Sequence, residues 1–145
     1  QHARTGVLRA ALLPGACGKG GAPVLTDIIL FIFDHLATLG VPCYLADCVP
    51  QGTALPYITA EVRPPLHPGM EGTLTLTYWC TGEKSNFHRL NQANRIEAVL
   101  PHRGLWLYTD AGSLVITHDK GMECITQHDA RAIVFHFKLK LYPRT

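Results

Sequence analysis

Charge is scarce in this sequence. Asp, Glu, Lys and Arg make up 17 % of its 145 residues, against about a quarter in ordinary soluble domains, while 47 % are hydrophobic. A disordered chain needs the opposite balance, so a folded core is expected. Long apolar runs are also missing. The nearest, Val24 to Leu39, is interrupted by Asp27, Asp34 and His35, which excludes the roughly 18-residue stretch of a membrane-spanning helix. No Gly-x-Ser-x-Gly elbow occurs, and Gly15-Ala16-Cys17-Gly18-Lys19-Gly20 lacks the hydroxyl residue and the preceding strand of a phosphate loop. Neither an internal repeat nor a targeting segment is found. The first residue, Gln1, fits a fragment or a processed form.

Cysteine is present in an odd number, five. Without a secretory segment this argues against a disulfide framework and for a reducing compartment. Cys43-x4-Cys48 has the spacing of half a zinc site, but Cys80 and Cys124 stand alone and no His-x3-His pair completes it. Buried free thiols are the expectation, and neither a metal nor another cofactor is expected.

The length suits one ordinary domain with one core. A flexible amino-terminal segment, residues 1–22 with its glycine-rich run, is expected to precede a single domain at 23–145. The formal charge of +2 conceals an uneven distribution: residues 23–130 hold six basic and eleven acidic groups. Arg4, Arg9 and Lys19 at one end, and Arg131, Lys138, Lys140 and Arg144 at the other, lie in acid-free stretches. Opposite charges on different parts of a surface suit contacts between subunits, or simply two solvated ends.

Leu25, Ile28, Ile29, Ile32, Phe33 and Leu36 recur at helical spacing, ended by Gly40 and Pro42. Leu30, Phe31 and Ala37 widen that stripe, so this helix is expected to be covered on two sides, by a sheet and by further core or a neighbouring subunit. Val41 to Val49 reads as an edge strand. Ile58, Ala60 and Val62 alternate with polar residues up to Pro64-Pro65, and Leu74, Leu76 and Tyr78 alternate with Thr73, Thr75, Thr77 and Trp79. The intervening loop runs to Gly72. A second helix is expected over Phe87 to Leu100, with Leu90, Ala93, Ile96 and Leu100 inward. Short strands at Leu105–Tyr108, Leu114–Thr117 and Met122–Thr126 are separated by turns at Asp110-Ala111-Gly112 and Asp119-Lys120-Gly121. A long last strand carries Ile133, Phe135, Phe137, Leu139 and Leu141 on one side. The expected fold is α+β, a mainly antiparallel sheet with two helices packed on one face.

The eight histidines are scattered. An enzyme would require His118, His128 and Cys124 to converge in a pocket. A nucleic-acid binder would use Lys138 and Lys140, which share a strand face with His136 and Tyr142, although lysines also guard strand edges. Neither pattern is specific, and the expectation is a protein without a catalytic site.

The succession of an apolar helix, a short strand, Val49-Pro50-Gln51 through Leu55-Pro56-Tyr57-Ile58, a Thr-rich strand ending in Tyr78-Trp79, and a polar turn before the helix Phe87 to Leu100 resembles the tail terminator, or tail completion, proteins of long-tailed bacteriophages and the head-tail joining proteins of the same fold. The resemblance covers about residues 23–142. It implies a homo-oligomeric ring, usually of six subunits, that caps the tail tube and offers a surface to the head connector. The partners implied are the tail-tube protein and the connector or neck protein; DNA passes through without specific binding, and no membrane is involved. The place implied is the virion tail or neck, assembled in the host bacterial cytoplasm. A head-tail joining role is the alternative within the same fold. Leu30 and Phe31, the loop residues Pro64, Pro65, Leu66, His67 and Met70, and Lys138 and Lys140 are the expected contact residues. The longer amino terminus and Pro64-Pro65 depart from the family pattern.

Overall fold

Alternation of apolar and polar residues over the carboxy-terminal half makes two long strands, and the rest of the sheet assembles around them. The structure, a computed structural model, describes residues 23–67, 69–82, 86–101, 103–109, 112–127 and 130–143; the expected amino-terminal segment lies outside them. In chain order these hold α1 (Pro23–Leu36) with a 3-10 turn at Ala37–Leu39, β1 (Cys43–Leu45), β2 (Tyr57–Arg63), β3 (Glu71–Thr81), α2 (Asn86–Val99), β4 (Leu105–Thr109), β5 (Gly112–Gln127) and β6 (Ala130–Pro143). The fold is α+β. Its six strands form one sheet in the order β1-β2-β3-β6-β5-β4.

The sheet is mixed. β2, β3, β6, β5 and β4 pair antiparallel in succession, but β1 runs parallel to β2, with Cys43 beside Ile58. The expected edge strand from Val41 to Val49 is thus only Cys43–Leu45. A parallel neighbour needs a crossover, which the chain between Leu45 and Tyr57 supplies.

α1 follows its apolar spacing. Ile28, Ile29, Ile32, Phe33 and Leu36 are buried, while Asp27 and Asp34 are exposed. Each such apolar side chain contributes about 1.5–3 kcal/mol when taken fully out of water. Gly40, at φ 75°, ends the helical stretch by donating its N–H to the Ala37 carbonyl. In α2, Ala93, Ile96 and the following Leu100 are buried, but Leu90 is 50 % exposed, against expectation. One hydrophobic cluster joins these helix residues to Ile58, Leu74, Leu76, Tyr78, Leu114, Ile116, Ile133, Phe135, Phe137, Leu139 and Leu141 of the strands.

Polar links fix the helices to this frame. Arg95 donates to the Leu39 carbonyl at 3.0 Å. His118 Nε2 lies 2.7 Å from the Leu100 carbonyl, a geometry in which the nitrogen must carry the proton, and its ring packs 4.6 Å from that of Phe137. The Tyr78 hydroxyl meets His88 Nε2 at 3.0 Å.

Burial pushes the Tyr78 hydroxyl above its ordinary value, with Cys80 adding to the rise and the Arg95 guanidinium opposing it. The folded chain therefore keeps that proton to higher pH than the unfolded chain. The associated stability is complete below about pH 10, the unfolded value, and is lost as pH rises through the folded one. We expect the fall in melting temperature between about pH 8 and about pH 11 to be larger in the wild type than in Tyr78→Phe. Equal falls measured by circular dichroism would mean that Tyr78 is not the titrating group.

The two expected strands Leu114–Thr117 and Met122–Thr126 are one strand, β5. Asp119-Lys120-Gly121 reads as a turn, but two register shifts between His118 and Glu123 absorb the extra residues against β6. No helix among the described residues is long and apolar enough to cross a membrane.

Candidate interaction surface

Of the residues an enzyme would bring together, the two described ones, His118 and Cys124, stay apart. His118 is held by the Leu100 carbonyl, and Cys124 is exposed further along the same strand. Their β6 partners are Phe137 and Ile133, about 13 Å apart at strand spacing; His128 lies outside the described residues. Among the described residues no three His, Cys, Asp or Glu side chains are grouped as metal ligands. The half zinc site is not available either. Cys48 is disulfide-bonded, contrary to the expectation of free thiols, and the Cys43 thiol is buried and donates to the Val41 carbonyl at 3.4 Å. A bonded Cys48 sulfur has no proton to donate, so its 3.6 Å approach to the Asp47 carboxylate is a contact and not a hydrogen bond. Cys43, Cys80 and Cys124 keep their thiols, and the first two are buried.

Alternation along the strands leaves a second sheet face whose residues differ in kind. On β3 it carries Thr73, Thr75, Thr77 and Trp79, and on β6 His136, Lys138, Lys140 and Tyr142. The Trp79 indole donates to Thr59 Oγ1 at 3.1 Å, which satisfies that buried hydroxyl. Glu61, Arg63, Thr73, Thr75, Asp119, Lys120 and His136 line a cavity of about 250 Å³ on this face. Its charges are mixed: His136 meets Glu123, and Arg63 lies 3.6 Å from Glu61.

The two lysines expected to form a basic strip are paired. Lys138 lies 3.9 Å from both Glu71 and Asp119, and Lys140 lies 3.9 Å from Glu71. These are exposed pairs worth about 0–1 kcal/mol each, yet they cancel the field that would draw a polyanion. The strip therefore offers little to a nucleic-acid backbone.

The other expected contact residues fall into two places. On α1, Leu30 is exposed, whereas Phe31 is half-buried against the core with its ring 4.4 Å from that of His35. The helix is thus covered beyond one stripe at Phe31 and open at Leu30. In the β2–β3 connection, Leu66 is 76 % exposed, and Met70 and His67 are exposed. Pro64 is half-buried and Pro65 is buried, so Pro65 cannot offer the contact expected of it. Its burial has a local cause: a Cβ at Gly72 would meet the Pro65 ring and overlap the Arg63 carbonyl oxygen, so the connection closes tightly over a residue with no side chain.

Sequence reasoning missed the most prominent group. Trp106 and Tyr108 on β4 are 56 % and 79 % exposed, and Tyr142 on β6 is 46 % exposed. The Trp106 and Tyr142 rings stack at a centroid distance of 6.3 Å and an interplanar angle of 21°. Leu105 and Leu107, alternating with Trp106 and Tyr108, pack against the core. A strand apolar on both faces was the available signal: one face is used inside, and the other points out.

No protein-family model matches this chain, and no curated protein matches its sequence.

Proposed function

We propose that the chain is a structural subunit of a long-tailed bacteriophage, which assembles as a ring, probes no substrate, and caps the tail tube while presenting a surface to the head connector. In this reading both helices pack on one face of the sheet, leaving the opposite face and the sheet flanks to neighbours. The cap ends polymerisation by occupying the docking surface that the next tube ring would use. No bond is made or broken.

The observation that carries the reading is the exposed Trp106, Tyr108 and Tyr142 cluster. A contiguous aromatic patch is uncommon on a monomer that stays alone, and Trp and Tyr dominate the energetics of protein interfaces. A second support is electrostatic. Between residues 23 and 130 acidic groups outnumber basic ones by eleven to six, and the lysines of the open face are paired, so DNA moving through a ring lumen is not held by it.

The test is a tube-growth assay with the tail-tube protein of the same virion. We expect added protein to bind tube ends and halt elongation, seen by electron microscopy as shorter, capped tubes. Tubes that lengthen undisturbed, with the protein bound to the isolated connector instead, would move the assignment to head-tail joining. Binding to neither would remove it.

A further inference from the structure

Two consecutive residues of β5, Asp119 and Lys120, line one cavity on the open face of the sheet. In a regular strand such neighbours point to opposite faces. The register shift removes that constraint: His118 pairs with Phe137 and Lys120 with His136, so Asp119 has no partner on β6 and both charges turn to the same side. Asp119 is engaged by Lys138 at 3.9 Å. Among the described residues Lys120 makes no ion pair, and it is exposed.

The opposite wall needs no irregularity. Glu61 and Arg63 on β2 share a face by ordinary alternation and line the same cavity. One rung crosses the site: Glu61 pairs with Thr75, Thr75 with His136, and His136 with Lys120. It places an anion on one wall and an unpaired cation on the other, three strand spacings or about 14 Å apart. The floor between them carries a hydroxyl and an imidazole, and Thr73 adds a second hydroxyl on the neighbouring rung.

The lining holds the carboxylates of Glu61 and Asp119 and the cations of Arg63 and Lys120, so neither sign is in excess to draw a simple anion or a simple cation. A molecule with one charge of each sign, at opposite ends, matches both walls. The separation sets its length. A hydrogen bond of about 2.9 Å at either end of the rung leaves about 8 Å between the ligand's own charges. An extended peptide spans that with about two or three residues at roughly 3.3–3.6 Å each, and a single amino acid does not. The cavity, of about 250 Å³, is small, as such a ligand requires.

We propose that this cavity binds a short free peptide as a zwitterion, its ammonium group on Glu61 and its carboxylate on Lys120, with Thr73, Thr75 and His136 facing its amides. Arg63, 3.6 Å from Glu61 in an exposed pair, gives way at little cost, because such pairs contribute little. The site is complete within one subunit, so it stands or falls independently of the ring.

Titration of the isotopically labelled full chain with triglycine, followed through backbone amide shifts by NMR, tests this. Saturable binding with a dissociation constant on the order of 1 mM is expected for a ligand of this size. Triglycine acetylated at its amino end or amidated at its carboxyl end keeps one charge, and each is expected to bind about 10-fold more weakly, as is free glycine. Lys120→Gln is expected to weaken triglycine about 10-fold and to leave the amidated peptide, which has no carboxylate, unchanged. Glu61→Gln is expected to weaken triglycine likewise and to leave the acetylated peptide unchanged. Both replaced residues are exposed, and amide spectra unchanged away from the cavity confirm that the variants fold. Shifts that fail to saturate by about 20 mM, blocked peptides that bind as tightly as the free one, or variants that bind triglycine as the wild type does would each overturn the proposal.

Discussion

Phe33→Ala is expected to cost the fold about 3–5 kcal/mol, a large share of the roughly 5–15 kcal/mol that holds a domain of this size together. Phe33 is 1 % exposed and belongs to the cluster that unites α1 with the strands. The loss has two parts: the ring's transfer from water, and a cavity between helix and sheet that neighbouring Ile and Leu side chains refill only in part. Because α1 docks through its apolar side chains, its detachment is expected to accompany the loss. Urea denaturation followed by far-UV circular dichroism measures it. A change below about 1 kcal/mol would show that α1 is not seated on the core as described.

The second large effect is expected at Gly72. A methyl group there would run into the Arg63 carbonyl oxygen and the Pro65 nitrogen and ring, and two of these obstacles are backbone atoms that cannot rotate away. Gly72→Ala is expected to destabilise by about 2–3 kcal/mol, at the upper end of overpacking costs, and to displace the loop that carries Leu66. Gly121→Ala is the control, since its added carbon would meet nothing within 4 Å, and a change within about 0.5 kcal/mol is expected there. Similar melting curves for the two variants would contradict the tight closure of the β2–β3 connection.

Both sites illustrate what could be read in advance. Period 3.6 in α1 and period 2 in β3 and β6 are local signals, and each is backed by burial of the residues that carry it. The interior positions Leu74, Phe137 and Leu139 follow from alternation alone. Non-local features were hidden. The parallel pairing of Cys43 with Ile58 depends on a crossover rather than on either segment's pattern. Asp119-Lys120-Gly121 has the composition of a turn, and only the pairing with β6 shows it as irregular strand. Leu90 fits the helical stripe of α2, yet that stripe outlasts the core it faces, and Leu90 stays half exposed.

The interaction surface was legible in part. Leu66 was one of the contact residues expected in the loop that runs to Gly72, and it is exposed. Pro65 was grouped with it although the same closure that projects Leu66 buries Pro65. Lys138 and Lys140 looked like a free basic strip because their partners, Glu71 and Asp119, are distant in sequence. The aromatic cluster was divided between two segments: Trp106 and Tyr108 lie on β4, Tyr142 on β6, and only the ladder through β5 brings them together. The Cys48 disulfide belongs to the same class of feature, since cysteine spacing does not determine which sulfurs meet.

The proposed function requires copies of this domain to assemble into a closed ring. Native mass spectrometry of the wild-type chain at two concentrations, alone and after incubation with tail-tube ends, with electron microscopy of any large species, tests it most directly. A single discrete oligomer, six subunits by the resemblance and visible as a ring, is expected. A monomer under every one of these conditions would contradict it.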